Sequence, residues 1–410
     1  MVDKKLIQAI KDQDYNLDSY YIFDYPNFLK EVNFFKETFK EVNPIFSYSY
    51  KTNYLKPLIK SVDKLDFLSE VVSPFEVEIS KIFGIDPSKL IYNGPLKDEE
   101  SIKYVLSNGG IVNADHLDEL KMIFSICSSL KSLSDLRIGV RLSFESINLG
   151  SRFGIQVTEE NVYKILNLFS HYSINQISSL HIHFPERDIN NFKARVNAVF
   201  SLAKLLIDKK FRIGTIDIGG GFPSMMSKSM LNSLQISKNQ NLSEYFHIIK
   251  DFKKKYQIEQ IPIIFEPGTA IASNALHLVG HIRSINTKKE KVFLNTDISR
   301  TLLGGLKNEV EYPIEIIKMA HSQDYKEVGE KKMVLSGFSC VESDTIKIDS
   351  EKFTNSDISD KFVLSSIGSY SSVFKSPFIR GDVALFEWDG EELRICRRAQ
   401  NASDINNLYI

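Results

Sequence analysis

Short apolar segments that favour β-strands alternate with longer amphipathic segments from about residue 28 to 270. The predicted strands end near Tyr50, Ser73, Gly94, Ala114, Leu142, Phe184, Ile218 and Pro267. A plausible helix follows each of them except the last, for example at 76–82 and 115–124. Eight β-then-α units in about 240 residues predict an α/β fold, a closed (β/α)8 barrel of the TIM type. An open, doubly wound sheet is the alternative, because periodicity does not distinguish the two.

After about residue 275 the predicted strands are no longer separated by long helices. They lie at 277–285, 291–295, 332–336, 362–366 and, as a hairpin turning at Asp389-Gly390, 382–397. This pattern predicts a second, mostly antiparallel β domain formed by residues 273–410. We expect residues 1–27 to complete that domain through the segment 20–23, and the barrel to span residues 28–272.

The composition is that of a globular protein, with 43% hydrophobic and 25% charged residues among 410. Lys and Arg total 51 against 52 for Asp and Glu, which argues against nucleic acid or an anionic membrane as the main partner. Cys127, Cys340 and Cys396 are too few and too scattered for a disulfide framework or a zinc site. No apolar signal segment or membrane span is evident. We therefore expect a cytoplasmic protein with a small-molecule partner and no metal.

A single lysine, Lys51, lies where the first barrel strand is predicted to end. An amine at the carboxyl end of a buried strand is costly to desolvate unless chemistry uses it. Such a lysine can form a Schiff base with a carbonyl, most usefully with the aldehyde of pyridoxal 5'-phosphate. The structural alternative is a lysine that extends from the strand end into solvent.

Two further motifs suit the same cofactor. His183, at the predicted end of the sixth strand, could stack on an aromatic ring or be bonded within the barrel. Gly219, Gly220 and Gly221 follow an apolar strand and would let backbone N–H groups approach a phosphate closely. The alternative is a tight turn; the motif lacks the spacing of a dinucleotide-binding fingerprint.

Three more residues could complete such a site. Glu266, at the end of the eighth strand, could hydrogen-bond a protonated pyridine nitrogen, or it could simply lie beside a Pro-Gly turn. Cys340 lies between a serine and an acidic cluster, where it could supply a proton or be an inert thiol. Tyr370 follows Gly368-Ser369 and could donate its phenol to a phosphate.

In order and spacing these motifs resemble the fold-type III pyridoxal-phosphate decarboxylases, the group of diaminopimelate and ornithine decarboxylases. The family motif Tyr-Ala-x-Lys-Ala-Asn is matched at 48–53, its valine-serine-acidic region at 71–76 and its Lys-Phe-Gly segment at 152–154. The resemblance runs from about Tyr20 to beyond Arg397 and covers nearly the whole chain.

The resemblance implies a role for each of these residues. Lys51 would hold pyridoxal 5'-phosphate as a Schiff base, His183 would stack on its ring and Glu266 would pair with its pyridine nitrogen. The residues implied at the phosphate are Gly219, Gly220, Gly221, Gly268, Thr269 and Tyr370. The residues implied at the substrate are Cys340, which protonates the decarboxylated carbon, with Asp344, Glu342 and Arg300. Cys340 and Asp344 would come from the second subunit of a head-to-tail homodimer.

Two departures from the family pattern concern the phosphate. The family's histidine is usually followed by an apolar residue, a glycine and a serine, whereas here Pro185 and Glu186 follow Phe184 and remove the hydroxyl. The family's Glu-Pro-Gly-Arg ends here in Thr269, which replaces a charge-assisted contact with at best a hydroxyl bond. Another cation, such as Arg187, would have to compensate.

Two departures concern the substrate. Val341 occupies the position of the acidic residue that reads the distal amine of diamino substrates, and Glu342 follows one position late. Arg300 matches the family's substrate-binding arginine only loosely. The sequence predicts a decarboxylase of a diamino acid, such as diaminopimelate, or of a related carboxylated amine. An amino-acid racemase and a catalytically weak cofactor-binding protein are the alternatives.

Overall fold

The structure, a computed structural model, describes residues 2–13, 18–128, 135–147, 150–184, 188–223, 241–304, 310–319, 332–353, 356–376 and 378–409. The chain begins with helix α1 (Lys4–Asp12), strand β1 (Tyr20–Asp24) and helix α2 (Tyr25–Phe39). Strands and helices then alternate up to residue 272, and strands dominate the remainder.

Eight parallel strands close into a barrel. They are β2 (Pro44–Ser49), β3 (Leu68–Val71), β4 (Leu90–Tyr92), β5 (Ile111–Ala114), β6 (Arg137–Ser143), β8 (Gln176–His181), β9 (Arg212–Asp217) and β10 (Ile263–Phe265), with a two-residue strand β7 (Ile155–Gln156) beside β6. Strand β5 pairs with β6 and β10 pairs with β2, so the described strands leave no open edge in the ring. The predicted closed barrel is confirmed, and the open sheet is excluded.

Helices follow the strands around the barrel. They are α3 (Lys56–Lys64), α4 (Pro74–Ile82), α5 (Glu99–Ser107), α6 (Leu117–Cys127), α7 (Glu159–His171), α8 (Ile189–Asp208), α9 (Leu242–Tyr256) and α10 (Gly268–Ala272). Many begin at a side chain that accepts a helix N–H, as Ser73, Asp98 and Thr158 do, and each such cap contributes about 1 kcal/mol. The last strand was predicted to have no helix after it. The short α10 follows it, and α2, which precedes the first barrel strand, packs against α9 and α10.

The second sheet contains β1 and eight strands from the C-terminal part of the chain. These are β11 (Leu276–Lys288), β12 (Lys291–Thr296), β13 (Ile314–Ile317), β14 (Lys332–Ser336), β15 (Thr345–Ile346), β16 (Lys361–Leu364), β17 (Ala384–Trp388) and β18 (Leu393–Arg397), followed by helix α11 (Ala402–Asn406). Strand β1 lies between β11 and β17. The prediction of a mostly antiparallel sheet is confirmed, with parallel pairing of β1 to β17 and of β12 to β14.

Helix α1 covers part of this second sheet. Its buried side chains Leu6 and Ile10 pack in one cluster with Ile22 and Phe386 of the sheet. The amine of Lys361 donates to the carbonyl of Ile10, so a positive charge lies at the carboxyl end of the helix, where it is favourable. Among the described residues, no helix combines the length and the apolar character needed to cross a membrane.

Candidate active site

A cavity of about 440 Å³ opens at the carboxyl ends of the barrel strands. Polar side chains at or just beyond the ends of β2, β3, β4, β6 and β8 line it: Lys51, Glu70, Asn93, Arg141, His181 and His183. Inward-facing groups at this end of a parallel barrel are placed by different strands, so they converge without being close in sequence. The cavity is therefore the candidate active site.

Lys51 is held in this cavity by an ion pair. The 3₁₀ turn Tyr50–Thr52 follows β2 and brings the lysine Nζ to 2.6 Å from both carboxylate oxygens of Glu70. Glu70 is 1% exposed and also accepts hydrogen bonds from Ser49 Oγ and Asn93 Nδ2. Burial by itself would lower the pKa of Lys51, but the negative charges of Glu70 and Glu266 raise it overall. Burial likewise opposes ionisation of Glu70, yet Lys51 and its other donors lower its pKa.

Two more carboxyl groups, Asp217 and Glu266, lie at or just beyond the ends of the neighbouring strands β9 and β10. Both are buried, at 0% and 2% exposure. Asp217 Oδ1 accepts the N–H of Gly219 at 2.9 Å, and Glu266 Oε1 accepts Asn93 Nδ2 at 2.9 Å. Their other oxygens, Asp217 Oδ2 and Glu266 Oε2, have no hydrogen-bond donor among the residues that the structure describes. Burial raises the pKa of Asp217 to about 7 and, together with the charge of Asp217, raises the pKa of Glu266 well above its usual value.

Two histidines border this pair. His181 Nε2 lies 3.9 Å from Glu266 Oε1, and His183 Nδ1 lies 3.8 Å from Glu266 Oε2. Burial, followed by the positive charges of Arg141 and Lys51 among others, lowers the pKa of both rings well below the usual value, so both are neutral. His183 Nδ1 accepts the N–H of Gly220 at 3.0 Å, which places the proton of the neutral ring on Nε2.

His181, Asp217 and Glu266 have the donor types of a metal site, with one donor atom of each within 4.8 Å of the others. The positive charges of Lys51 and Arg141 act on the same space, since both lower the pKa of His181. They oppose the binding of a divalent cation there.

The glycine loop after β9 requires glycine at its first two positions. A Cβ on Gly219, whose φ is +66°, would lie 2.7 Å from His183 Nδ1, and one on Gly220 would lie 2.8 Å from the carbonyl oxygen of Glu266. The N–H groups of these two glycines, predicted to face a phosphate, are bonded here to Asp217 and His183. Gly221 follows with φ +84°. The loop thus fits tightly against the ring of His183.

Arg187 was the predicted cation near this loop, but residues 185–187, with Pro185 and Glu186, lie outside the described residues. Arg195 of α8 is in the described part and was not predicted. Its Nη2 donates to the carbonyl of Gly220 at 2.6 Å, and the side chain is 1% exposed. Its place in a long amphipathic helix, which carries other charged residues, gave no sign of this contact.

A segment of the second sheet's polypeptide supports the lysine turn. The N–H of Tyr370 donates to the carbonyl of Thr52 at 2.8 Å, and Asn53 Nδ2 donates to the carbonyl of Gly368 at 2.9 Å. Gly268 packs against the same turn, because a Cβ there would overlap Thr52 Oγ1. Thr269 is half-buried in the first turn of α10. Gly268 and the segment that carries Tyr370 thus lie against the turn of Lys51, whereas Gly219 and Gly220 pack against His183 and Glu266.

The predicted substrate residues lie elsewhere. Cys340 and Glu342 are exposed on the loop between β14 and β15, and neither lines the cavity of the same chain. Asp344 is buried and accepts hydrogen bonds from Ser299 Oγ and from the N–H groups of Arg300 and Ser339, at 3.0–3.1 Å. Asp344 thus stabilises the loop through these hydrogen bonds. Arg300 Nη1 donates to the carbonyl of Ser343, the residue before Asp344.

Other cavity residues were missed. Arg141 donates to Asp115 at 3.0 Å and lies 4.6 Å from the ring centre of Phe153, whose ring also contacts Arg152 at 4.1 Å. Glu70, Asn93, Arg141 and Asp217 are all polar residues at the ends of apolar strands. Charged residues are rarely buried without a partner. The position of Glu70 and of Arg141 within an apolar strand was therefore a signal that each has a partner in the site.

Residues 27–273 match the family model of the pyridoxal-dependent decarboxylases, pyridoxal binding domain. A diaminopimelate decarboxylase of Aquifex aeolicus is 26% identical over 67% of this chain and 66% of its own length. One of Methanocaldococcus jannaschii is 24% identical over 82% of this chain and 76% of its own length. The match thus spans about two thirds of the first relative.

The fold is shared with solved structures. The crystal structure of a diaminopimelate decarboxylase mutant from Helicobacter pylori, complexed with L-lysine, superposes with a TM-score of 0.80 at 21% identity, covering 98% of both chains. The family model covers more than half of the chain and includes Lys51, His183, the glycine loop and Glu266. This chain belongs to the family of pyridoxal-dependent decarboxylases.

Proposed function

We propose that this protein decarboxylates a diamino acid or a related carboxylated amine, with pyridoxal 5'-phosphate bound at Lys51. The observation that carries the proposal is the position of Lys51, ion-paired to a buried glutamate inside the barrel cavity. The names of the relatives from Aquifex aeolicus and Methanocaldococcus jannaschii support the reaction and the substrate class.

The residues around the cavity fit this cofactor. Glu266 offers a buried oxygen that lacks a donor among the described residues, as the partner of a protonated ring nitrogen requires. Gly219 and Gly220 allow the loop after β9 to pack tightly against His183 and the backbone of Glu266, the two residues proposed to contact the cofactor ring. Lys51 provides the amine, and the segment that carries Tyr370 supports its turn.

Each residue of the site has its own proposed role in this reaction. When bound, pyridoxal phosphate supplies an electron-accepting ring that stabilises the carbanion left when carbon dioxide departs from Cα. Glu70 stabilises positive charge at the Nζ of Lys51. Neutral His183 offers an uncharged face beside the glycine loop, and Glu266 offers a carboxyl oxygen that would accept the N–H of the protonated ring nitrogen.

The cavity also indicates how a substrate would be held. Arg141 and Arg152 line the cavity, and the guanidinium group of each lies against the ring of Phe153. Such groups suit carboxylates, which amino-acid substrates carry. The Helicobacter pylori protein of the same fold was crystallised with L-lysine, a diamino acid.

We further propose a head-to-tail homodimer in which Cys340 and Glu342 act in the partner's cavity. Both are exposed, and neither lines the cavity of its own chain. Val341, Phe374 and Ile379 are exposed apolar residues of the C-terminal part, at 47%, 54% and 63%, and a partner would cover them. The proposed domains are residues 28–272 for the barrel and residues 1–27 with 273–410 for the second unit. The three free cysteines support a cytoplasmic location.

A second candidate is a protein that binds the cofactor weakly and turns over no amino acid. It is favoured by Val341, an apolar residue where the family pattern has an acid, and by Thr269 in place of an arginine.

Carbon dioxide release over a panel of L- and D-diamino acids and carboxylated polyamines tests the proposal. Borohydride reduction with pyridoxal 5'-phosphate, followed by peptide mapping, should label Lys51, and Lys51→Ala should remove both label and activity. Label on Lys51 without release of carbon dioxide would favour the weak binder, or a racemase if enantiomers exchange. Label on another lysine would refute the site itself.

A further inference from the structure

We propose that Asp217 is the proton partner of Glu266: the two buried carboxyl groups share one proton, and Asp217 keeps it when Glu266 faces the cofactor. This inference rests on the proposed function for its cofactor-bound part only. Asp217 is a positioning residue, because it would act on the ring nitrogen through Glu266.

The geometry brings the two carboxyl groups together at adjacent strands. Asp217 ends β9, its register partner on β10 is Ile264, and Glu266 lies two residues further on. One oxygen of Asp217 and one of Glu266 lie within 4.8 Å of each other, and as two carboxylates the groups would offer only acceptors. Each has one oxygen for which the described residues provide no donor. A single shared proton satisfies both oxygens.

The surrounding charges do not allow both groups to ionise. Lys51 is a cation that acts on both groups, but Glu70 already binds its Nζ with both oxygens. Arg141 is paired with Asp115. His181 and His183 are neutral, and Glu70 adds further negative charge. Two adjacent buried carboxylates without a cation of their own hold one proton between them.

The existing hydrogen bonds decide where the proton lies once a cation binds. Glu266 already accepts Asn93 Nδ2, and an O–H from Asp217 would give it a second donor, which favours its ionised form. Asp217 can remain protonated, since its Oδ1 accepts the Gly219 N–H as a carbonyl oxygen would. Asp217 then connects the glycine loop to the carboxylate that faces the ring.

An amide imitates the protonated acid, which makes the inference sharply testable. In Asp217→Asn the side-chain oxygen can still accept the Gly219 N–H, and the NH2 group can donate to Glu266. We expect this variant to bind pyridoxal 5'-phosphate within about threefold of the wild type. Asp217→Ala should bind at least tenfold more weakly. Asp24→Asn is the matched control, because Asp24 is a buried aspartate that is paired with His277 outside the cavity.

The proton on the ring nitrogen is the second readout, measured by the nitrogen-15 chemical shift of labelled cofactor between pH 6 and 9. The nitrogen should be protonated in the wild type and in Asp217→Asn, and should lose its proton at lower pH in Asp217→Ala. Failure of Asp217→Asn to retain the cofactor or the ring proton, while Asp24→Asn retains both, would overturn the inference.

If the wild type binds no cofactor at all, the proposed function fails and the proton pair is judged on the cofactor-free protein. Urea unfolding should then show a loss of stability between pH 4 and 7 that is smaller in Asp217→Asn. An equal pH slope in both proteins would overturn the shared proton independently of any cofactor.

Discussion

Replacement of Glu70 by glutamine tests whether this residue holds the charge on Lys51. Unit charges 2.6 Å apart attract by roughly 6 kcal/mol at an effective dielectric constant of 20. Desolvation offsets part of that attraction, and breaking a buried pair typically costs about 3–5 kcal/mol. Because the Lys51 side chain is 31% exposed, we expect the lower end, about 3 kcal/mol, in urea unfolding at pH 7.

The same substitution should make Lys51 more reactive. Once the carboxylate is gone, burial dominates and lowers the pKa of the lysine, so more of the amine is neutral at pH 7.5. Each unit by which the pKa falls raises the neutral fraction about tenfold. The assay is the rate of Lys51 labelling by pyridoxal 5'-phosphate and borohydride across pH 6 to 11. The pH midpoint of labelling should move to lower pH in Glu70→Gln.

Glu119→Gln provides the matched control. Glu119 is also buried and forms an ion pair with a lysine, Lys97, at 3.0 Å, but neither side chain lines the cavity. It should lose comparable stability and leave the pH midpoint of Lys51 labelling unchanged. An unchanged midpoint in Glu70→Gln, or an equal change in Glu119→Gln, would show that Glu70 does not set the charge state of Lys51.

Three further predictions follow from the site. Gly219→Ala should weaken cofactor binding at least tenfold in an absorbance titration, because the new Cβ would meet His183 at a positive φ; unaltered affinity would refute the tight fit. Val341→Asp should change the relative decarboxylation rates across amino acids more than it changes cofactor retention. Identical rate ratios in the variant and the wild type would show that Val341 does not contribute to substrate specificity. The pKa of Asp217 is raised to about 7, so its protonated form stabilises the cofactor-free protein fully below about pH 4, and this stabilisation is lost as the pH rises to 7. Unfolding measured across this range should show a loss of at most roughly 4 kcal/mol.

The barrel could be predicted because parallel strands buried on both faces read as short apolar runs between amphipathic helices. The predicted end of each strand lies within a few residues of the observed one, as at Ala114, which ends β5 in both. The parallel pairing of β1 with β17 could not be predicted, since no local pattern encodes which distant strand will be the neighbour.

The candidate site was predicted in the parts that carry motifs and missed where tertiary contacts create the chemistry. Lys51, His183 and Glu266 lie in recognisable motifs; Lys51 and His183 line one cavity, and Glu266 lies 3.8 Å from His183. Glu70 is an isolated acid in a strand, and it becomes meaningful only because β3 pairs with β2 beside Lys51. The pairing of Asp217 with Glu266 likewise depends on β9 lying next to β10.

The position of β1 has a consequence for how the polypeptide matures on the ribosome. Tyr20 of β1 pairs with Ala384 of β17, so a strand made early receives one of its neighbours only when synthesis has passed almost the whole chain. The barrel strands can close beforehand, because all of them, including β2 and its partner β10, precede β17 in the chain. Until β17 emerges, β1 presents unpaired backbone groups to other polypeptides, which makes it the segment where a nascent-chain chaperone would have most to protect.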